Sequence, residues 1–213
     1  MDGIVYPKVS DYIEKFGGIS ELLDLEEYAK LNYVPIVMKD AARFLAFMVS
    51  LHRPLKILEL GTAIGYSALV MALHSEAEII TVEREEKMRE MALENIEKHG
   101  MKDRIRVVLS ECEDFLSETE ETFDFIFMDA GKSHYREYLD LSLPKLNPGG
   151  FILCDNVLYK GLVVHETAAR KHRTNVVKLQ KFLDYVHSRE DLRVSLLTVS
   201  DGMLLIRRKE ENE

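Results

Sequence analysis

Two sets of side chains in this sequence have the residue types and spacing to do chemistry, and the first surrounds a pair of glycines. Glu59 precedes Gly61 and Gly65 at the end of a short apolar run, and Glu83 ends the next apolar run. Glycine lets a backbone turn sharply and approach a ligand closely. An acid at the tip of a second strand is placed to bind ribose hydroxyls. A ligand-free turn is the alternative, and the position of Glu83 favours the ligand site.

The second set consists of oxygen donors that follow two later apolar runs. Asp129 follows one run, and Asp155 with Asn156 follows the next. Two carboxylates and an amide oxygen at neighbouring strand ends suit Mg²⁺, Ca²⁺ or Mn²⁺ and not zinc. Taken singly, Asp129 is also a candidate helix N-cap, and Asp155 with Asn156 a candidate turn. Their joint placement favours a metal site.

The elements that position both sets alternate regularly along the middle of the chain. Apolar runs typical of buried strands alternate with helical segments, which predicts a parallel sheet covered on both faces. Ligands bind such sheets at the carboxyl ends of the strands, where both sets fall. The predicted strands are 57–60, 79–82, 105–109, 123–128 and 150–154, and the helices between them are 66–74, 85–99, 111–117 and 135–146.

The two ends of the chain follow other patterns. Helices are predicted for 7–16, 20–31 and 38–51, and later for 175–187. Two apolar runs, 192–199 and 203–208, flank Asp201 and Gly202, which predicts a hairpin and therefore an antiparallel strand. The expected fold is one α/β domain over 1–213, with a seven-stranded, mostly parallel sheet. It divides into a helical cap (1–53), an α/β core (54–209) and an acidic tail (210–213).

Composition limits the partners and the compartment. The chain has 213 residues and a net charge of −9, with 46% hydrophobic and 31% charged residues, as expected for one globular domain. Its acidity does not favour nucleic acid, although a local basic patch can still bind phosphates. Two widely spaced cysteines argue against disulfides or zinc, and no apolar run reaches membrane-spanning length. We expect a cytoplasmic protein with no membrane partner.

Three motifs resemble a known family. Residues 57–67 (Ile-Leu-Glu-Leu-Gly-Thr-Ala-Ile-Gly-Tyr-Ser), 127–132 (Phe-Met-Asp-Ala-Gly-Lys) and 155–158 (Asp-Asn-Val-Leu) resemble the divalent-cation-dependent class I O-methyltransferases, the group of catechol and caffeoyl-CoA O-methyltransferases. The resemblance covers about 34–207. It implies a Rossmann-like fold, S-adenosylmethionine and Mg²⁺ as cofactors, and a homodimer.

The resemblance also implies residue roles. Lys132 would be the catalytic general base, beside a metal that favours the substrate oxyanion needed for attack on a sulfonium methyl group. Ser67 would hold the methionine carboxylate, Cys112 and Glu113 the adenine edge, and Ile36 a lid; Glu111 stands where the family has a small residue. The implied metal ligands are Asp129, Asp155 and Asn156, and the implied cofactor-binding residues are Ile36, Glu59, Gly61, Ala63, Gly65, Ser67, Glu83, Cys112, Glu113 and Asp129.

The acceptor substrate is left with alternatives. Residues 34–36 and 155–161 are most similar to a bacterial branch that includes the tRNA 5-hydroxyuridine methyltransferase, which implies methylation of that hydroxyl to 5-methoxyuridine. Arg170, Lys171 and Arg173 would then face tRNA phosphates, unless they form a solvated helix start. A small catechol or hydroxycinnamoyl-CoA is the alternative substrate. A non-catalytic nucleotide-binding or RNA-binding module is the alternative of another class.

Overall fold

A central sheet organises the protein. In the computed structural model, which describes residues 5–164, 169 and 172–210, the described chain forms a seven-stranded sheet. The strands are β1 Lys56–Leu60, β2 Glu78–Glu83, β3 Ile105–Leu109, β4 Phe123–Met128, β5 Leu146–Cys154, β6 Leu192–Leu197 and β7 Met203–Arg208. All the strands predicted from the sequence are present, and β5 begins earlier than predicted.

The strand order is β3-β2-β1-β4-β5-β7-β6. Four neighbouring pairs are parallel: β1 with β2, β1 with β4, β2 with β3, and β4 with β5. β7 runs antiparallel to β5 and to β6, so the predicted hairpin is confirmed. The structure adds that β7 lies between its two neighbours, with Leu204 opposite both Cys154 and Leu196. The carboxyl ends of β1, β2, β4 and β5 therefore meet along one edge.

Helices cover both faces of this sheet. They are α1 Pro7–Glu14, α2 Leu23–Asn32, α3 Lys39–His52, α4 Tyr66–Leu73, α5 Glu86–Lys98, α6 Cys112–Glu118, α7 Tyr135–Ser142 and α8 Arg173–Ser188. The helix predicted over 135–146 was too long. Because Pro144 has no N–H to continue an α-helix, α7 gives way to a 3₁₀ turn at Leu143–Lys145. None of the described helices is long and apolar enough to cross a membrane.

Neighbouring apolar residues of each strand point to opposite faces and enter two separate cores. On one face Ile57 and Phe125 pack with Leu45 of α3 and residues of α4 and α5. On the other face Leu58 packs with residues of α6, α7 and α8, including Phe182. The helical cap thus shares its core with one face of the sheet, and the segment between α2 and α3 is carried to the edge where the strands end.

Candidate functional site

A cavity of about 380 Å³ lies at the carboxyl ends of the parallel strands. It is bounded by the loops after β1, β2 and β4 and by the segment between α2 and α3. The predicted site residues that line it are Ile36, Gly61, Ala63, Ser67, Glu83, Cys112, Asp129, Lys132 and Asn156. Residues far apart in the sequence, from the cap to the end of β5, are therefore brought to one place.

The remaining predicted site residues lie elsewhere. Glu59, Gly65, Glu113 and Asp155 are not among the residues that line the cavity. Arg173 is exposed in the first turn of α8, whereas Arg170 and Lys171 lie outside the described residues. Residues 211–213 of the predicted acidic tail lie outside them too.

The loop after β1 depends on its two glycines. Gly61 has φ +96°, and a Cβ there would come within 2.8 Å of the backbone oxygen of Asp129. Gly65, with φ +85°, starts α4 and approaches Ala92 on α5. Ala63, between them, also has a positive φ of 46°, which is strained for a residue with a side chain. The predicted strand, tight loop and helix are confirmed, and the loop stays close to the neighbouring strand end.

Glu83 holds this loop in place. Its Oε2 accepts hydrogen bonds from the backbone N–H groups of Ala63, at 2.9 Å, and Thr62, at 3.3 Å. Its Oε1 accepts the N–H of Glu85 at 3.0 Å. A carboxylate has about four acceptor sites, so three N–H donors leave about one site of Glu83 for a ligand in the cavity that it lines. Glu83 therefore anchors the loop after β1. It also lines the cavity, where the sequence predicted that it would bind ribose hydroxyls.

Glu59 lies behind the loop and is fully buried. The hydroxyl of Thr81 donates to its Oε2 at 2.5 Å. Because that hydrogen is engaged, the Thr62 hydroxyl, 2.6 Å from the Thr81 oxygen, must donate to it. Burial raises the pKa of Glu59 to about 8, opposed by hydroxyls of Ser67 and Thr81. Sequence reasoning missed both threonines, although Thr81 is a polar residue inside an apolar strand.

The two aspartates form the acidic part of the site. Asp155 is fully buried; its Oδ1 accepts the N–H of Asn156 at 2.6 Å, and its Oδ2 has no hydrogen-bond partner among the described residues. Burial, reinforced by the charge of Asp129, raises the pKa of Asp155 well above its usual range. Burial also raises the pKa of Asp129, opposed by Lys132, whose Nζ lies 3.5 Å from Asp129 Oδ1.

This arrangement fits a divalent cation. Within the described ranges, no three His, Cys, Asp or Glu side chains gather as a metal site. The predicted set contains two carboxylates, Asp129 and Asp155, and its third member is the amide of Asn156, which lines the cavity. A buried carboxylate oxygen without a partner is costly, and hard cations such as Mg²⁺ bind such oxygens. The chemistry of the donor set and the unpartnered Oδ2 of Asp155 are both consistent with the predicted ligands.

The part of the cavity next to α6 and α7 includes Cys112. Burial raises the pKa of Cys112 to about 12, so its thiol is neutral at physiological pH. Tyr138 of α7 lines the same region and was not predicted. Glu113 instead faces His134, with 2.8 Å between Oε1 and Nδ1. The adenine-side prediction thus has Cys112 at the cavity and the Glu113 side chain directed away from it.

Tyr66 connects the cavity to the helical cap. Its ring lines the cavity, and its hydroxyl donates to Glu26 Oε1 of α2 at 2.7 Å. The same oxygen accepts the N–H of Ile19 at 3.1 Å, and Lys39 of α3 lies 3.5 Å from Oε2. No local sequence signal paired Tyr66 with a residue of α2, so the sequence did not predict this contact.

The fold and the cavity together define a class I methyltransferase: the sheet carries a reversed β7, and the cavity lies beyond the glycine loop of β1. A family model described as O-methyltransferase matches residues 18–209. The chain belongs to this O-methyltransferase family.

Individual relatives agree with this assignment. The chain is 31% identical over 198 residues to a caffeoyl-CoA O-methyltransferase of Populus kitakamiensis, covering 86% of this chain and 82% of the relative. It is 31% identical over 178 residues to a catechol O-methyltransferase of Niastella koreensis, covering 79% and 80%. An SAH-bound methyltransferase of Podospora anserina superposes with a TM-score of 0.87 at 30% identity, covering 98% of this chain and 100% of that chain. The protein is an S-adenosylmethionine-dependent O-methyltransferase.

Proposed function

We propose that this O-methyltransferase requires a divalent cation, most simply Mg²⁺, and acts on a small substrate with two neighbouring oxygens, such as a catechol or a hydroxycinnamoyl thioester. The observation that carries the proposal is the fully buried Asp155, whose Oδ2 has no hydrogen-bond partner among the described residues, between the strand end of Asp129 and the cavity-lining Asn156. The raised pKa values of Asp129 and Asp155 reflect the cost of ionising two neighbouring buried carboxyl groups, and a divalent cation would offset that cost.

The chemistry requires an oxyanion as nucleophile. A phenolic hydroxyl has a pKa of about 10 and is mostly protonated at neutral pH. When bound by Asp129, Asp155 and Asn156, a divalent cation would favour the ionised form of a coordinated hydroxyl. Lys132 lines the same cavity and is placed to accept the proton. The glycine loop and Glu83, which line the same cavity, would hold S-adenosylmethionine, so that its methyl group and the substrate oxygen would be brought into proximity.

The choice of substrate class follows from the relatives and from the charge of the chain. The names of two relatives at 31% identity specify caffeoyl-CoA and catechol. The tRNA prediction rests on the resemblance of residues 34–36 and 155–161 to one bacterial branch. Of the basic residues expected to face tRNA phosphates, Arg170, Lys171 and Arg173, the described part of the chain contains Arg173 alone. A net charge of −9 also opposes binding of a polyanion. We therefore favour the small substrate and keep 5-hydroxyuridine of tRNA as an outcome of the test.

The test measures methyl transfer from labelled S-adenosylmethionine to catechol, to caffeoyl-CoA and to bulk tRNA, each with Mg²⁺ and with excess chelator. We expect turnover of a small substrate that chelator abolishes. Asp155→Asn should lose the Mg²⁺ dependence and most of the activity while it retains cofactor affinity by calorimetry. The matched control is Asp140→Asn, at an exposed position of α7.

Two results would overturn this proposal. Full activity of the wild-type protein in chelator would exclude the metal. Methylation of tRNA without turnover of either small substrate would identify the 5-hydroxyuridine of tRNA as the acceptor. Both kinds of acceptor use the same methyl donor, so this result would leave the methyltransferase activity itself in place.

A further inference from the structure

The turn of the β6–β7 hairpin (residues 199–202) contacts the segment that carries two of the predicted metal ligands. The backbone oxygen of Gly202 accepts the N–H of Val157, and that of Asp201 accepts the N–H of Leu158, each at 3.0 Å. The side chain of Asp201 adds a third bond, because its Oδ1 accepts the N–H of Lys160. Three amides directly after Asp155 and Asn156 are therefore held by one turn.

That segment needs an external support. Asn156, Tyr159 and Lys160 have positive φ values of 55°, 46° and 57°, the left-handed region that residues with side chains disfavour. Each such residue is strained and persists when its surroundings determine the conformation. The hairpin turn supplies these surroundings, and Asp201 bonds directly to the strained residue Lys160.

The turn itself is fixed from two sides. Gly202 has φ +87°, and a Cβ there would clash with the side chain of Leu158, so the two segments are in close contact. On the other side, the N–H of Ser200 donates to Asp40 Oδ2 in the first turn of α3, at 2.9 Å. A short run of bonds thus connects the cap to the segment after β5 through the hairpin turn.

We propose that Asp201 is a positioning residue for the reaction. It accepts the hydrogen bond of the Lys160 amide and so holds the strained segment, which keeps Asn156 at the cavity and Asp155 buried next to it. The part that concerns metal affinity rests on the proposed function; the part that concerns the conformation of the segment does not.

The first measurement needs neither metal nor substrate. Hydrogen exchange by mass spectrometry is followed over residues 156–161 in wild type, Asp201→Ala, Asp201→Asn and the control Glu190→Ala, an exposed residue just before β6. Asp201→Ala should speed exchange in this segment by about tenfold or more, the ratio expected for a hydrogen bond to a charged acceptor. Asp201→Asn keeps an acceptor oxygen and should restore most of the protection. Exchange in β1 and β4 should be unchanged.

The second measurement is titration calorimetry with Mn²⁺ and, separately, with S-adenosylmethionine. Asp201→Ala should weaken Mn²⁺ binding by about tenfold, Asp201→Asn should recover it, and cofactor affinity should be the same in all variants. Unchanged exchange in Asp201→Ala overturns the proposal, and so does unchanged Mn²⁺ affinity in that variant beside a wild type that binds Mn²⁺. If the wild type binds no Mn²⁺, the metal part of the proposed function fails, and the exchange data alone decide whether Asp201 positions the segment.

Discussion

At the scale of single residues, Glu59 shows how position changes the role of a motif residue. Its carboxyl group is fully buried behind the glycine loop and receives the Thr81 hydroxyl, whereas the cavity is lined by the loop itself. Desolvation is the main reason that its pKa rises to about 8. Glu59 therefore contacts the loop through Thr81 and Thr62 and is mostly protonated at neutral pH.

This protonation predicts a pH-dependent stability. The folded protein keeps the Glu59 proton up to about pH 8, whereas the unfolded chain loses it near the usual pKa of 4.5. The contribution of Glu59 to the free energy of unfolding is therefore fully present below the pKa of the unfolded chain. Between that pKa and the pKa of the folded protein, this contribution falls by about 1.4 kcal/mol for each unit by which the pH rises. The side chain of Glu59→Gln cannot ionise, so this variant should not lose stability in the same way. In urea titrations of the cofactor-free protein, its free energy of unfolding relative to that of the wild type should rise with pH by this amount per unit.

The control for this measurement is Glu78→Gln, which changes an exposed carboxyl at the other end of β2. Its stability should follow the wild-type pH profile. Parallel profiles for Glu59→Gln and wild type would mean that Glu59 is ionised in the folded protein, contrary to its burial.

At the scale of elements, one carboxylate joins three helices beside the cavity at the strand ends. Glu26 of α2 receives the hydroxyl of Tyr66 from α4 and lies near Lys39 of α3. Burial and the neighbouring carboxylate raise the pKa of Tyr66, so its hydroxyl remains a donor. The segment between α2 and α3, which includes Ile36, lines the cavity. Glu26 connects the two helices that flank this segment and so fixes both of its ends.

Tyr66→Phe should weaken this connection. Removing a buried donor to a charged acceptor should cost about 1.5–3 kcal/mol of unfolding free energy in urea titrations. Combined with Glu26→Ala, which removes the acceptor, the two losses should be less than additive by about 1 kcal/mol or more, since both changes break the same bond. Tyr28→Phe, at an exposed position of α2, should be neutral. Additive losses would show that the hydroxyl and the carboxylate do not interact in solution.

At the scale of the whole molecule, the last strand is structurally central. β7 lies between β5 and β6, and its Met203, Leu204 and Ile206 are almost completely buried. Fully burying one such side chain contributes roughly 1.5–3 kcal/mol, and the whole stability of a domain is typically about 5–15 kcal/mol. These residues of β7 thus contribute to both cores, Met203 to one and Leu204 and Ile206 to the other.

Truncation after residue 202 should therefore abolish cooperative folding, because β6 would lose its partner and β5 would gain an exposed edge. Truncation after residue 209 removes the end of the chain beyond β7 and should leave the melting temperature unchanged. Circular dichroism and size-exclusion chromatography of the two shortened chains measure this difference. A cooperative thermal transition in the shorter chain would contradict the central role of β7.

The sequence by itself determined the elements and much of the site. Strand and helix periods, the two glycines and the Asp201-Gly202 turn are local signals, so they predicted the sheet, the loop after β1 and the hairpin. The carboxyl ends of parallel strands meet at one edge, so the positions of Glu83 and Asp129 after their strands sufficed to place both beside one cavity.

The tertiary structure alone decided which side chains meet across elements. It inserted β7 between β5 and β6, placed Glu59 behind the loop, and turned Glu113 toward His134. It also joined the hairpin turn to the segment after Asn156. Such contacts depend on the packing of segments distant in sequence and on the room that burial leaves, and neither residue periodicity nor local spacing encodes them.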